Sequence, residues 1–271
     1  MSQKVIFGDC RSMVEVPSAS VSLVVTSPPY WNIKDYGVDG QVGFGQNYGE
    51  YLSSLETVWG ECSRVLRDGC RLAVNVGDQF LRASEAGSYQ VVPVGADVLR
   101  TVLEHDFHFM GSIIWRKVST TKTTGGGCWM GSQYYPGDGH VTFEHEYIHL
   151  FRKYGKRETP GDLEVREASK LTKQERSHWF RGVWDDVPPV RQVNHCAMFP
   201  KLLPERLIRM YTYVGEAVLD PFAGSGTTLS AAHDAGRCGA GFELNREFET
   251  LMRDKVPGLE VTYRLPEGGQ L

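Results

Sequence analysis

Strand-like runs rich in Val and Ile alternate with helical patterns along almost the whole chain, and this alternation restricts the fold more than any other feature. One helical pattern is "YGEYLSSLETVWGECSRVLRDG", whose helix is expected to end at Gly69. Alternating strands and helices form βαβ units, whose ligands bind at the carboxyl ends of the strands. The sequence therefore predicts an α/β fold with a mostly parallel sheet, and the expected strands are "KVIFGD", "VSLVVTS", "CRLAVNVGD", "GSIIWRKV", "TFEHEYIHLF", "EAVLDPF" and "RCGAGFEL".

Two segments interrupt the alternation. Residues 119–140 are rich in Gly, Thr and aromatics and are typical of a long functional loop. Residues 152–181 are rich in Lys and Arg and are expected to form a small helical insert. Three further helices are predicted elsewhere, at "VVPVGADVLRTVLEHDF", "LLPERLIRMYTYVGE" and "GTTLSAAHDAGR".

The net charge limits how the protein can meet a nucleic acid. A formal charge of -4 over 271 residues does not attract a polyanion, so any DNA contact must be local. The basic segment 152–181 qualifies, although a solvated helix face is the simpler interpretation of it. The sequence has neither a long apolar span nor a secretory leader pattern, and this predicts a cytoplasmic location.

A glycine-containing turn between a strand and a helix occurs in "AVLDPFAGSGTTLSAAHDAGRCGAGFELN". Gly224 and Gly226 lack the β-carbon that would keep a ligand from the backbone, and a helix begins directly after them. Glu243 follows Asp220 by 23 residues, close to the roughly 20-residue interval at which an acid meets ribose hydroxyls. The turn lacks the third glycine of G-x-G-x-x-G and the GK[ST] of a P-loop, which argues against dinucleotides and nucleoside triphosphates.

The stretch "TSPPYW" places two prolines directly behind an apolar strand. Proline has no N–H and restricts its predecessor, so this loop is rigid and extended, with outward carbonyls. Ser27 and the carbonyl of Pro28 can accept the two hydrogens of an exocyclic aromatic amine, which draws electron density out of conjugation and aims the nitrogen lone pair. Tyr30 and Trp31 can stack on the base. Taken alone, the stretch is also compatible with a structural turn capped by core aromatics.

In combination, SPPY after one strand and "DPFAGSGTT" after another resemble the S-adenosylmethionine-dependent amino-methyltransferases of DNA, which methylate cytosine N4 or adenine N6. The amine motif precedes the cofactor motif, and this order is similar to that of the circularly permuted beta group of the family. Further matching stretches are "FGDC", "SIIWRK", "FEHEYIHLFRK", "HCAMFPKLLPERLI" and "GFELN". The resemblance covers nearly the whole chain apart from residues 119–140 and the basic insert.

The resemblance implies a Rossmann-like class I methyltransferase fold, with a mostly parallel, circularly permuted seven-stranded sheet and a small target-recognition insert. Residues 1–151 would form the catalytic half with the amine motif. Residues 152–192 would form the basic target-recognition insert, and residues 193–271 the cofactor-binding half of the same domain.

The resemblance also assigns the site. The methionine end of S-adenosylmethionine is expected at the glycine turn, its ribose on Glu243 and its adenine near Asp9. The expected catalytic residues are Ser27, Pro28, Pro29 and Tyr30. The expected cofactor-binding residues are Asp9, Phe199, Lys201, Asp220, Phe222, Gly224, Gly226, Thr227, Glu243 and Leu244. The expected substrate and DNA contacts are Trp31, Asp78, Trp129, His145, Arg176 and Arg181.

"HEYIH", residues 145–149, matches the H-E-x-x-H pattern of zinc peptidases. That pattern binds zinc only on a helix, where the two histidines lie one turn apart. The surrounding Tyr, Ile, Leu and Phe favour a strand, in which the two rings are too far apart to share an ion. We therefore expect a strand and no metal site.

The expected function is site-specific methylation of double-stranded DNA, within a restriction-modification or related DNA-marking system. Within the family, Ser at the head of the tetrapeptide is associated mainly with cytosine N4 and Asp with adenine N6, so Ser27 favours cytosine. Two alternatives stay open: an adenine-N6 methyltransferase and an inert S-adenosylmethionine-binding DNA module. The resemblance is compatible with a monomer or a homodimer, and with or without a cognate restriction nuclease.

Overall fold

The computed structural model describes residues 1–32, 35–81, 83–88, 90–117, 143–189 and 199–264. Within these ranges the chain forms eleven strands and eight α-helices. The strands are β1 (Gln3–Phe7), β2 (Val21–Thr26), β3 (Leu66–Val76), β4 (Gln79–Leu81), β5 (Gln90–Val92), β6 (Phe107–Arg116), β7 (His145–Lys153), β8 (Val183–Trp184), β9 (Ala217–Asp220), β10 (Cys238–Glu243) and β11 (Leu259–Tyr263). The helices are α1 (Tyr48–Val65), α2 (Ala83–Ala86), α3 (Val94–Leu103), α4 (Leu163–Ala168), α5 (Lys173–Trp179), α6 (Leu202–Tyr211), α7 (Thr227–Asp234) and α8 (Glu249–Lys255).

One mostly parallel sheet organises the molecule. Within the described ranges its strand order is β11-β1-β10-β9-β2-β3-β7-β6-β8, and only β7 runs antiparallel to its neighbours. The seven strands expected from the sequence form the continuous centre of this sheet. The sheet is wider than expected, because the short strands β8 and β11 extend its two edges.

Burial on both faces explains why β2 is a continuous apolar run. Val24 faces a core with α1 and α3, whereas Leu23 and Val25 face a second core with α6 and α7. Successive side chains of a strand point to opposite faces, so a sheet covered by helices on both sides needs apolar residues at every position. All six residues of β2 are buried.

Helix α1 has a strong start signal and an unexpected end. Asn47 caps it by accepting from Glu50 N, and the Glu50 side chain accepts from Asn47 N, which forms a capping box. The expected end at Gly69 is wrong. The helix ends at Val65, because Leu66 is extended and already pairs with Val21 of β2.

The basic segment contains α4 and α5, as the sequence predicts, and both are short and lie largely on the surface. Strand β8 follows them and returns the chain to the sheet beside β6. Among the described helices, none is both long and apolar enough to span a membrane.

Candidate active site

The carboxyl ends of four parallel strands border one open cleft with about 720 Å³ of empty space. Gly8 follows β1, Ser27 follows β2, Pro221 follows β9, and Glu243 ends β10; all four line the cleft. The parallel topology therefore brings the two sequence motifs into one site.

Asp220 connects the two motifs from beneath the cleft. Its Oδ1 accepts hydrogen bonds from Thr26 Oγ1 at 2.8 Å and from Phe222 N at 3.1 Å, and its Oδ2 accepts from Thr228 Oγ1 at 2.6 Å. Burial raises the pKa of this carboxyl to about 6, and the three donors oppose the shift. Asp220 thus holds together the ends of β2 and β9, although they lie 194 positions apart in sequence, and it does not line the cleft.

The amine loop contacts both the cleft and the core. Ser27 and Pro29 line the cleft, while Pro28 is buried. Tyr51 Oη donates to the Pro29 carbonyl at 2.9 Å. Tyr30 packs against the core, and its phenol has a pKa well above the usual value, owing first to burial and then to the charge of Glu146.

Trp31 follows Tyr30 and is oriented by the protein itself. Its indole Nε1 donates to Gln46 O at 2.8 Å, and its ring lies 4.9 Å from that of Tyr48. These contacts with the start of α1 and the residues before it fix the orientation of the indole ring.

The turn after β9 points its backbone toward Glu243. Gly224 has a left-handed φ of +51° and donates its N–H to Glu243 Oε2 at 2.8 Å. Asn245 N donates to the other carboxylate oxygen at 2.8 Å. Burial raises the pKa of Glu243 to about 7. Phe222, Gly224, Glu243 and Leu244 all line the cleft.

The second glycine of the turn packs against a later helix. Gly226 has a φ of +77° and lies against α8, where an added β-carbon would be 3.2 Å from Met252 Cγ. It therefore permits close packing of α7 on α8, and it is not among the residues that line the cleft. Thr227 begins α7, with its hydroxyl 3.2 Å from that of Ser225.

The far wall of the cleft is formed by Asp9 and by the segment after the amine loop. Asp9 lines the cleft and pairs with Arg11, whose Nη2 also donates to Gly40 O at 2.9 Å. Asn245 Nδ2 donates to Tyr36 O at 2.9 Å. Residues 36–42 contribute five lining residues that the sequence analysis missed, and the closely spaced glycines of "YGVDGQVG" were the available signal.

Residues 21–254 match the family of DNA methylases that comprises N6 and N4 methyltransferases. The chain belongs to this DNA methylase family. The type II methyltransferase M.MthZI of Methanothermobacter thermautotrophicus is 34% identical, over 94% of this chain and 76% of the relative. The type II methyltransferase M.MjaI of Methanocaldococcus jannaschii is 31% identical, over 94% and 91% of the two chains.

Solved structures have the same fold as this DNA methylase. The putative DNA modification methylase TTHA0409 from Thermus thermophilus, in complex with S-adenosyl-L-methionine, superimposes with a TM-score of 0.80 at 37% identity and covers 97% of this chain and 99% of its own. The PvuII DNA methyltransferase (cytosine-N4-specific) has a TM-score of 0.62 at 18% identity, over 97% and 95% of the two chains, which is a likeness of fold alone. The expected class I methyltransferase fold is confirmed.

Three residues expected in the site of this DNA methylase have other partners. Lys201 Nζ lies 2.5 Å from an Asp234 carboxylate oxygen, and Phe199 packs against the core that includes residues of α6 and α7. Asp78 Oδ1 accepts from Gly95 N at 3.0 Å, at the start of α3. None of the three lines the described cleft.

The "HEYIH" stretch of this DNA methylase is a strand, as expected, because it begins β7. His145 is half-buried at the start of that strand. Both ring nitrogens of His149 have protein partners, Ser112 Oγ at 2.7 Å and Gly95 O at 3.0 Å. Arg176 and Arg181 are exposed, and Trp129 lies outside the described residues.

Proposed function

We propose that this DNA methylase transfers the methyl group of S-adenosylmethionine to the N4 amine of a cytosine flipped out of double-stranded DNA. The observation that carries the proposal is that Ser27 and Pro29 line the same cleft as Gly224 and Glu243. A methyl donor and an acceptor amine must lie within contact distance for direct transfer, and one cleft lined by both motifs meets that requirement.

S-adenosylmethionine is the cofactor, and the residues of the cleft fit it. The left-handed Gly224 lets a ligand approach the backbone, and the Glu243 carboxyl can accept from ribose hydroxyls. Phe222 and Phe242 add aromatic surface. When bound, the cofactor supplies an electrophilic methyl group on a sulfonium.

The amine loop supplies the acceptor geometry. Ser27 Oγ and the carbonyl of Pro28 accept the two amine hydrogens, which leaves the nitrogen lone pair directed at the methyl group. Tyr30 and the pre-set Trp31 stack on the base. A paired cytosine amine is inaccessible inside a duplex, so the base must leave the stack to reach Ser27. Ser27 is a poor base, and the amine therefore loses its proton after methyl transfer.

Two finer assignments belong to this proposal. The serine at the head of SPPY favours cytosine N4 over adenine N6, as its association within the family implies. The amine loop after β2 precedes the cofactor turn after β9 in the chain, which supports a circularly permuted beta-group arrangement. We further propose residues 152–192 as the target-recognition insert and a role in restriction-modification, in keeping with the type II relatives.

The test is methyl transfer from labelled S-adenosylmethionine to DNA, followed by digestion to nucleosides and chromatography. We expect the label in N4-methylcytosine. Label in N6-methyladenine would assign the alternative base, and absence of transfer with intact cofactor binding would indicate the inert DNA-binding module.

Variants of the amine loop give the matching control. Ser27→Ala and Tyr30→Ala should abolish transfer while leaving the dissociation constant of S-adenosylmethionine unchanged, because neither side chain belongs to the cofactor turn. Full activity in both variants would contradict the proposed role of SPPY.

A further inference from the structure

Glu146 is a buried carboxylate next to the amine loop that the proposed mechanism does not use. It is the second residue of β7 and is 9% exposed. Its Oε1 lies 2.5 Å from Lys117 Nζ, and its Oε2 accepts from Asn75 Nδ2 at 2.6 Å. A buried charge is tolerated when it is paired and hydrogen-bonded, and Lys117 and Asn75 supply both conditions.

Gly77 creates the space in which Glu146 meets Tyr30. A β-carbon on Gly77 would lie 3.0 Å from Glu146 Cγ and 3.8 Å from Tyr30 Oη. The two side chains therefore converge on a residue between β3 and β4 that has no side chain. Tyr30 belongs to the SPPY loop after β2, and in the sheet β3 and β7 lie on the other side of β2 from β9.

Glu146 and Ser27 shift the pKa of the Tyr30 phenol in opposite directions. Its pKa is raised first by burial and then by the charge of Glu146 and hydrogen bonding to it, whereas hydrogen bonding from Ser27 lowers it. A group that accepts the phenol proton raises the pKa of the phenol, and a group that donates to the phenol oxygen lowers it. An ionised carboxylate can only accept, so the Tyr30 hydroxyl donates its single proton to Glu146, and Ser27 is left to donate to the Tyr30 oxygen.

We propose that Glu146 is a positioning residue that fixes the Tyr30 hydroxyl as donor and thereby turns the lone pairs of Ser27 Oγ toward the target amine. The proposal rests on the function proposed above. A hydroxyl has a single proton, so a serine that donates to Tyr30 can only accept from the amine. Without the carboxylate, the Tyr30 proton is free to point at Ser27, and the serine proton then faces the amine as a competing donor.

The test compares Glu146→Gln with Glu144→Gln in the full-length chain. Both variants remove one negative charge at the same edge of the sheet, but Glu144 contacts Arg116 and not the amine loop. We expect E146Q to lower the single-turnover rate of methyl transfer about 100-fold, the order of effect of a misplaced reacting group. The dissociation constant of S-adenosylmethionine and the KM for DNA should stay within a factor of about two of the wild-type values. E144Q should retain the wild-type rate.

A double-mutant cycle separates positioning from general stability. If Glu146 acts through Tyr30, then E146Q should lower the rate much less in a Tyr30→Phe background, because the hydroxyl to be oriented is already absent. A purely structural role would give the same fold-loss in both backgrounds. Gly77→Ala keeps the carboxylate but pushes it away from Tyr30, and it should reproduce the loss of single-turnover rate seen in E146Q.

Two outcomes distinguish this inference from the function it rests on. In the first outcome, wild type and E144Q methylate DNA, but E146Q is equally fast or the losses in the double-mutant cycle are additive. This outcome would overturn only the role of Glu146 and leave the proposed function intact. Absence of transfer to DNA by the wild-type chain would overturn the proposed function and the inference together.

Discussion

At the scale of single residues, the two acids of the site hold protons more tightly than ordinary carboxyls. Burial raises the pKa of Asp220 to about 6 and that of Glu243 to about 7. An acid whose pKa is higher in the folded than in the unfolded chain favours the fold at low pH, and this contribution is lost as the pH rises through the folded pKa. For Glu243 the loss runs from its ordinary value of 4.5 to about 7.

Glu243→Gln should therefore flatten the pH dependence of stability. In the absence of cofactor, the free energy of unfolding of the wild type should fall between about pH 5 and about pH 8, and that of the variant should fall less, because an amide does not titrate. Urea unfolding at both pH values measures the difference. Glu247→Gln, at an exposed carboxyl in the following turn, is the control and should behave as wild type. If the free energy of unfolding falls equally with pH in E243Q and wild type, the raised pKa of Glu243 does not contribute to the pH dependence of stability.

The residues that could be found from sequence are those whose chemistry is local. Ser27 is adjacent to its prolines, and Gly224 and Glu243 stand at a recognisable interval in one strand-turn-helix-strand unit. The Glu146–Tyr30 convergence was missed, because contacts between residues far apart in sequence are set by tertiary packing. The pairing of Asp9 with Arg11 is local, two positions apart, and was not predicted. The contact of Gly226 with Met252 was not predicted, because Met252 lies in a later helix.

At the scale of elements, the sequence predicted seven strands and four helices that the structure contains. Apolar runs buried on two faces, such as β2, are long enough to recognise. The edge strand β8 has two residues and was missed, because so short a run has no period. The end of α1 was also predicted wrongly. Strand pairing between Leu66 and Val21 ends the helix early, and Gly69, with a φ of +69°, lies inside β3 instead.

The two halves of the site belong to different elements, and the hydrogen bond between Thr26 and Asp220 joins them. Thr26→Val keeps the shape of the side chain but removes the hydroxyl, so the buried Asp220 oxygen loses a donor. Oδ1 keeps its bond from Phe222 N, so we expect a loss of about 1.5–3 kcal/mol in the free energy of unfolding, the usual contribution of a hydrogen bond to a charged group.

Urea unfolding of T26V measures this loss, and Thr57→Val, at an exposed position of α1, is the control. We also expect slower methyl transfer in T26V, because the amine loop and the cofactor turn lose a shared anchor. A T26V chain as stable as wild type would show that Asp220 does not hold the two loops together.

At the scale of the whole molecule, charge is distributed unevenly. The chain has a net charge of -4, yet exposed arginines and lysines concentrate in the segment that contains α4 and α5. A protein of this net charge is repelled by DNA at long range, so binding depends on a basic surface at the contact itself. Arg176 and Arg181 are exposed and have no carboxylate within ion-pair distance among the described residues, which makes them candidates for phosphate contacts.

The salt dependence of DNA binding tests this assignment. Each phosphate contact contributes about 0.9 to the slope of log K against log salt concentration, so Arg176→Ala and Arg181→Ala should each lower that slope by about one. The rate of methyl transfer at saturating DNA should not change, because neither residue lines the cleft. Lys170→Ala is the matched control, since Lys170 lies in the same segment but pairs with Glu167 at 3.1 Å. If both arginine variants have the same salt-dependence slope as the wild type, these residues do not contact phosphates. That result would contradict the proposed target-recognition role of residues 152–192.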